Sequence, residues 1–434
     1  MFSGRALRAP AAILAAGLLS WGAQAPRAAQ APPADALLQA SRQEQSAYLD
    51  TLRELVSIES GSRDLEGLNR LGQLIAARLR ALGGQVEIVP AGADLYRMED
   101  TPQEVGKSVV ARFRGTGTRR ILVLAHMDTV YLRGMAAGQP FRLDGERAYG
   151  LGIADDKSGV ALAMHAVAVL HALGHREYGL LTVLVNADEE ISSPGSRALI
   201  TRLGSEHDAV FSCEGSGADD RLRLTTSGNG AVLLRVRGRA SHAGAAPEDG
   251  RNALYELAHQ ILQTRDLSDR SIGLSLNWTV ASAGGTRNII PAVATATADA
   301  RVSRVRDWDT LETRLRQRLA KTLIPDTAVT MTLERRRPPL EASPASRALA
   351  AYAVSIYPVT GRRLGITEES GGGGTDAAFA ALKSKAPVIE GFGPAGFGAH
   401  SDEREFLDVR SITPRLYLLS RLILDVALGK APVG

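Results

Sequence analysis

Residues 178–190 read YGLLTVLVNADEE, an apolar run that ends in the three consecutive carboxylates Asp188, Glu189 and Glu190. A continuous Leu/Val run predicts a strand buried on both faces, as in the middle of a parallel sheet. Side chains alternate along a strand, so Glu189 and Glu190 cannot share one job unless the backbone turns there. Clustered like charges repel, and a nearby cation or covering water lowers that cost. Alone, the stretch fits a solvated strand end as well as a cation site.

Outward from it, helical apolar spacing over 43–58 and 67–82 precedes the strand patterns SVVARFRG and RRILVLAHMD. A helix is expected over about 156–173, a second near 195–203, then the strand DAVFSCEG. This alternation predicts an α/β catalytic domain, a doubly wound, mixed but largely parallel sheet with helices on both faces. Ligands of such sheets bind beyond the carboxyl ends of the strands. Three of those ends carry His126 with Asp128, Glu189 with Glu190, and Glu214.

From about 228 to 337 the order becomes strand, helix, strand, strand, helix, strand, the ferredoxin-like α+β pattern. The expected organisation is therefore a catalytic domain in two parts, 40–227 and 338–434, with an inserted lid over 228–337. At the other end, Arg5 and Arg8 precede the apolar run 11–19 and a Pro/Ala-rich stretch. That layout predicts a secretory signal peptide and linker over 1–31, too short in its apolar part to be a stable membrane anchor, and a periplasmic or secreted product. The single cysteine, Cys213, excludes an internal disulfide. With 51 Lys and Arg against 47 Asp and Glu and no basic run, nucleic acid is not an expected partner.

His126, Asp155, Glu189, Glu190, Glu214 and His400 lie in separate segments, each at a predicted strand end or in the loop that follows. Two imidazoles with several carboxylates suit Zn²⁺. One carboxylate too many for a single ion argues for two ions bridged by a shared carboxylate, an arrangement that activates water.

HMDTVY, GLGIADDKSG, NADEE, SHAGAAPEDG, RNIIPA, GGGGTDAAFAAL and GFGAHSDE occur in that order. From about residue 50 to the C-terminus the chain resembles the zinc exopeptidase family that contains acetylornithine deacetylase, succinyl-diaminopimelate desuccinylase and bacterial glutamate carboxypeptidase. The nearest likeness is to exported glutamate carboxypeptidases of the folate-hydrolysing type, through AHMDTVYLRG, GIADDK and ASHAGAAPE. The resemblance implies a zinc bound by His126 and Glu214, a second bound by Glu190 and His400, and Asp155 bridging them. It implies Glu189 as general base and a cis peptide at Asp155–Asp156. Asp128, two residues after His126, is placed to hold the imidazole. The resemblance further implies that His242 reaches the partner subunit's active site as an oxyanion donor, which makes a homodimer through the lid part of the chemistry, with Asn288 a further lid donor.

For the substrate, Arg337 matches a lid-end arginine that contacts a carboxylate in the glutamate enzymes, and Arg221 falls near their basic side-chain contact, in a loop one residue shorter here. Gly371–Gly374, with Gly373 and Thr375 as candidate contacts, would let backbone amides approach a ligand. The glycine run lacks the Lys-Ser/Thr of a phosphate loop. The resemblance implies a di-zinc carboxypeptidase that takes a small N-acyl amino acid or short peptide and releases a C-terminal glutamate from N-acyl-glutamate or pteroylglutamate substrates; a broader aminoacylase or dipeptidase and a non-catalytic metal or peptide binder are the alternatives. His165 and His171 on the helix after Asp155, and Cys213 beside Glu214, are expected to be structural.

Overall fold

The computed structural model describes residues 1–2, 34–92, 95–218, 220–401 and 404–433. The leader and linker expected over 1–31 lie outside the described residues but for Met1 and Phe2. Among the described residues, no helix is long and apolar enough to cross a membrane.

The opening stretch forms the strand Leu180–Asn186, every residue of it buried. It sits inside a six-stranded sheet that runs Gln85–Val89, Ser108–Arg114, Leu180–Asn186, Arg120–His126, Ala209–Ser212 and Val388–Ile389. The last four are mutually parallel, whereas the first two pair antiparallel, so the sheet is mixed. Alternation divides its side chains between two cores. Val109, Ala111, Val123, Ala125, Val183 and Val185 face one, and Val110, Leu122, Leu124 and Leu184 the other.

On the first face, the helices Ala34–Val56, Ser158–Ala172 and Ile412–Ala427 pack on one another, joined by Leu65–Ala81. That last helix buries Leu68, Leu71, Ile75 and Leu79, the three-and-four spacing of an apolar stripe. Asp64 caps it by accepting the Gly67 amide, an interaction typically contributing about 1 kcal/mol. Helices Arg197–Ser205 and Ala377–Ala381 cover the second face.

The segment after Ser227 builds a four-stranded antiparallel sheet in the order Ser275–Ala283, Val293–Val302, Gly228–Arg237, Ala328–Arg337. Taken as strands one to four along the chain, that order is 2-3-1-4, the ferredoxin-like arrangement expected. Helices Ala253–Thr264 and Asp307–Leu319 supply Leu257, Trp308, Leu311 and Leu315 to its separate core.

A second four-stranded sheet was not anticipated. It joins Gly396–Phe397, Phe406–Asp408, Arg147–Tyr149 and Arg142–Asp144, elements of two or three residues that carry no periodic signal. His400 lies in the loop between the first two of these strands.

Candidate metal centre

The strand stops at Asn186, whose amide donates to Asp376 at 2.7 Å, and the three carboxylates beyond it part ways. Asp188 turns back and accepts the amides of Gly195 and Ser196. Glu189 to Ile191 form one turn of 3-10 helix closed by Ser192 in the left-handed conformation. The turn is pinned by Asp128: its Oδ1 accepts the Glu189 amide at 3.0 Å and its Oδ2 the Glu190 amide at 3.1 Å, and Ser62 donates to it as well.

Asp128 thus holds the glutamate turn more directly than the imidazole. His126 Nδ1 lies 3.1 Å from the Asp128 carbonyl oxygen and 3.4 Å from the carboxylate. Its Nε2 faces inward, 3.0 Å from Asp155 Oδ1 and 3.5 Å from Glu214 Oε1. On the far side, His400 Nε2 lies 3.2 Å from Asp155 Oδ2 and 3.3 Å from Glu190 Oε2. Each oxygen of Asp155 therefore faces a different imidazole. Donor atoms of His126, Glu189 and Glu214, and separately of Asp155, Glu190 and His400, converge closely enough to hold a metal ion.

The electrostatics call for cations. Burial pushes the Glu190 carboxyl up to about 7 and the Glu189 carboxyl well above its ordinary range, the latter against the pull of Arg337. Burial also opposes protonation of His126, but hydrogen bonds to Asp128, Asp155 and Glu214 outweigh it and raise the imidazole. Glu190 Oε1 is buried with no hydrogen-bond partner. An orphaned carboxylate oxygen among nitrogen and oxygen donors is the environment a hard or borderline divalent ion fits.

Asp155 is placed by a residue that the motifs did not single out. Glu405, wholly buried, accepts the amides of Gly152 at 2.8 Å, Ala154 at 2.8 Å and Asp155 at 3.2 Å, and the Tyr131 hydroxyl at 2.6 Å. The Asp155–Asp156 peptide is cis.

Beside the ligands lies a cavity of about 370 Å³, walled by Glu189, Glu214, Arg223, Thr225, Thr226, Gly373 and Thr375 among others. Gly373 and Thr375 both line this cavity; Arg221 and Arg337 do not form its wall. Arg221 and Arg223 share one face of a three-residue strand whose Leu222 is buried, and the Arg221 stem lies over Gly365. Arg223, two residues closer, reaches the cavity instead, a shift the alternation in RLR permits but cannot select. Arg337 is 3% exposed, and its guanidinium is held by Glu189 and by the Gly374 carbonyl, so it faces the expected base and not open space.

His242 and Asn288 lie together on the inserted sheet's loops, both exposed and outside their own chain's cavity wall. The amides of Gly244 and Ala245 donate to His242 Nδ1 at 3.1 and 3.0 Å. With Nδ1 accepting those bonds, the ring proton of the neutral imidazole sits on Nε2. His165 is engaged by Glu44 and Thr51, and Cys213 is buried, both structural as expected.

Residues 122–425 match peptidase family M20/M25/M40. The chain is 44% identical over 395 residues to carboxypeptidase G2 of Pseudomonas sp. strain RS-16, covering 91% of this chain and 92% of that one. In fold it is similar to aminopeptidase PepT from Bacillus cereus, with a TM-score of 0.73 at 18% identity, covering 88% of this chain and 99% of that one. It is likewise similar to the M20 family metallo-carboxypeptidase Sso-CP2 from Sulfolobus solfataricus, with a TM-score of 0.65 at 16% identity and coverage of 88% and 99%.

Proposed function

Because this chain belongs to peptidase family M20/M25/M40, we propose that it is a di-zinc carboxypeptidase hydrolysing the amide bond to a C-terminal glutamate in N-acyl-glutamate or pteroylglutamate substrates. The observation that carries the reading is the division of Asp155's two oxygens between His126 and His400, beside a cavity with Arg223 on its wall. His126 and Glu214 would hold one zinc, Glu190 and His400 the other, and Asp155 both. Zinc bound there would lower the pKa of a water and polarise the amide carbonyl.

The chain's own residues do the rest. Glu189 takes a proton from the attacking water, whose oxygen bonds to the carbonyl carbon, and returns it to the nitrogen as the C–N bond breaks. Arg337 fixes the Glu189 carboxylate in place, and Asp128 fixes the backbone of both glutamates. Arg223, with Thr225, Thr226 and Thr375, receives the carboxylates of the leaving glutamate; an arginine can clasp a carboxylate by two parallel hydrogen bonds. In a homodimer through the inserted domain, residues 228–337, the His242 Nε2–H and Asn288 would donate to the oxyanion across the subunit boundary. Export to the periplasm or medium rests on the basic and apolar pattern of residues 5–19.

The test is the free amino acid released by the zinc-loaded protein from one mixture of benzoyl-glutamate, benzoyl-aspartate, benzoyl-leucine and benzoyl-arginine. Glutamate is expected to dominate, and Arg223→Ala to raise its KM about tenfold or more through loss of a charged hydrogen bond. Dominant leucine or arginine would replace the glutamate reading with an aminoacylase one; no release would favour a binder.

A further inference from the structure

The Arg337 guanidinium meets Glu189 only if the end of the last inserted strand, Ala328–Arg337, is held against the turn that carries the glutamates. We propose that Arg197 is the positioning residue that holds the two together and so, through Arg337, places the base. The inference rests on the carboxypeptidase reading above, in which Glu189 moves the proton.

Three observations carry it. First, Arg197 bonds both stretches at once and belongs to neither. Its Nη2 donates to the Ser192 carbonyl at 2.6 Å and to the Arg336 carbonyl at 2.8 Å, and its Nε donates to the Ser193 carbonyl at 3.2 Å. Ser192 closes the turn that starts at Glu189, and Arg336 is the residue before Arg337. Base and guanidinium are thereby joined in a closed ring: along the turn, across Arg197, and back through one residue of the strand. A planar guanidinium fork can bridge such carbonyls at fixed geometry, whereas an ammonium acts as a point charge. Second, the strand carbonyl that Arg197 takes lies at a break in the sheet. Arg335 pairs with Gly230 and Arg337 with Asn229, so Arg336 is the extra residue of a bulge. Bulges re-aim side chains, and on either side of this one Arg336 pairs with Asp100 and Arg337 with Glu189.

Third, Arg197 stands where its own helix disfavours it. It is the first residue of the helix Arg197–Ser205, and a cation in the first turn opposes the helix dipole. Side chains lean toward the N-terminus of their helix, which carries this one back over residues 192–193. There its guanidinium lies over the rings of Tyr96 and Phe379, 3.7 and 4.8 Å from their centroids. Stacking of that kind fixes a long side chain that would otherwise sample many rotamers.

The experiment is a double-mutant cycle on kcat for benzoyl-glutamate in the zinc-loaded protein: wild type, Arg197→Met, Arg337→Ala and the two combined. Methionine keeps an apolar stem against the two rings and removes the fork. Arg197→Met is expected to lower kcat about tenfold while KM stays within about twofold. It is expected to add nothing to Arg337→Ala, because it acts through that arginine. Tyr96→Leu, at a ring 38% exposed, removes stacking and keeps the fork, and decides the matter should Arg197→Met not fold. It is expected to lower kcat about threefold, again only while Arg337 is present. Effects that multiply in the combined variants, a loss carried by KM, or an unchanged kcat overturns this inference and leaves the glutamate reading standing. Preferential release of another amino acid overturns the glutamate reading alone, and the cycle is then read on that substrate. No turnover by the wild type overturns both.

Discussion

Glu189 and Glu190 are neighbours with opposite surroundings, and the turn that carries both starts at Glu189, three residues past the end of the strand at Asn186. Glu189 faces Arg337 and Glu190 faces His400. A buried carboxylate and a buried guanidinium held together offset part of each other's desolvation cost, and removing one partner strands the other. Glu189→Gln is therefore expected to lower kcat about a thousandfold while bound zinc is unchanged. Arg337→Ala is expected to act on the same parameter, lowering kcat more than it raises KM, because the arginine orders the base. An arginine that bound the substrate carboxylate would instead show its effect in KM, so steady-state kinetics of this one variant separate the two roles.

At the scale of elements, the centre depends on loops anchored by buried groups far away in sequence. Glu405 collects three amides of the loop that delivers Asp155. In Glu405→Gln a side-chain amide would meet those N–H groups with a donor in place of one acceptor oxygen. Zinc affinity is expected to fall about 10- to 100-fold, measured by competition with a chromophoric chelator. An unchanged affinity would show that the loop holds its shape without that anchor.

The same scale explains what the sequence could and could not disclose. Strand and helix periods made the two main sheets legible, and the candidate metal residues stood out by their types at strand ends and by the ordered motifs of the family resemblance. Arg223 was not, since two arginines on one face of a three-residue strand look alike until the loop's path is known. Nor was the engagement of Arg337 by Glu189, or the double grip of Asp128 on the glutamate turn; both join residues that no local pattern connects.

For the whole molecule, the inserted sheet returns the chain through Arg337 directly behind the base, which couples its last strand to the centre. Two cavities meet at Glu190, one with Arg223 on its wall and one lined by the exposed Val130 and Leu132. All of this turns on a pair of cations sharing Asp155. The most direct measurement is the zinc-to-chain ratio by elemental analysis, after loading with excess zinc and exhaustive dialysis into zinc-free buffer. Two zincs per chain are expected, and fewer than two in Asp155→Ala. One zinc or none in the wild type, or two retained without Asp155, would contradict that arrangement.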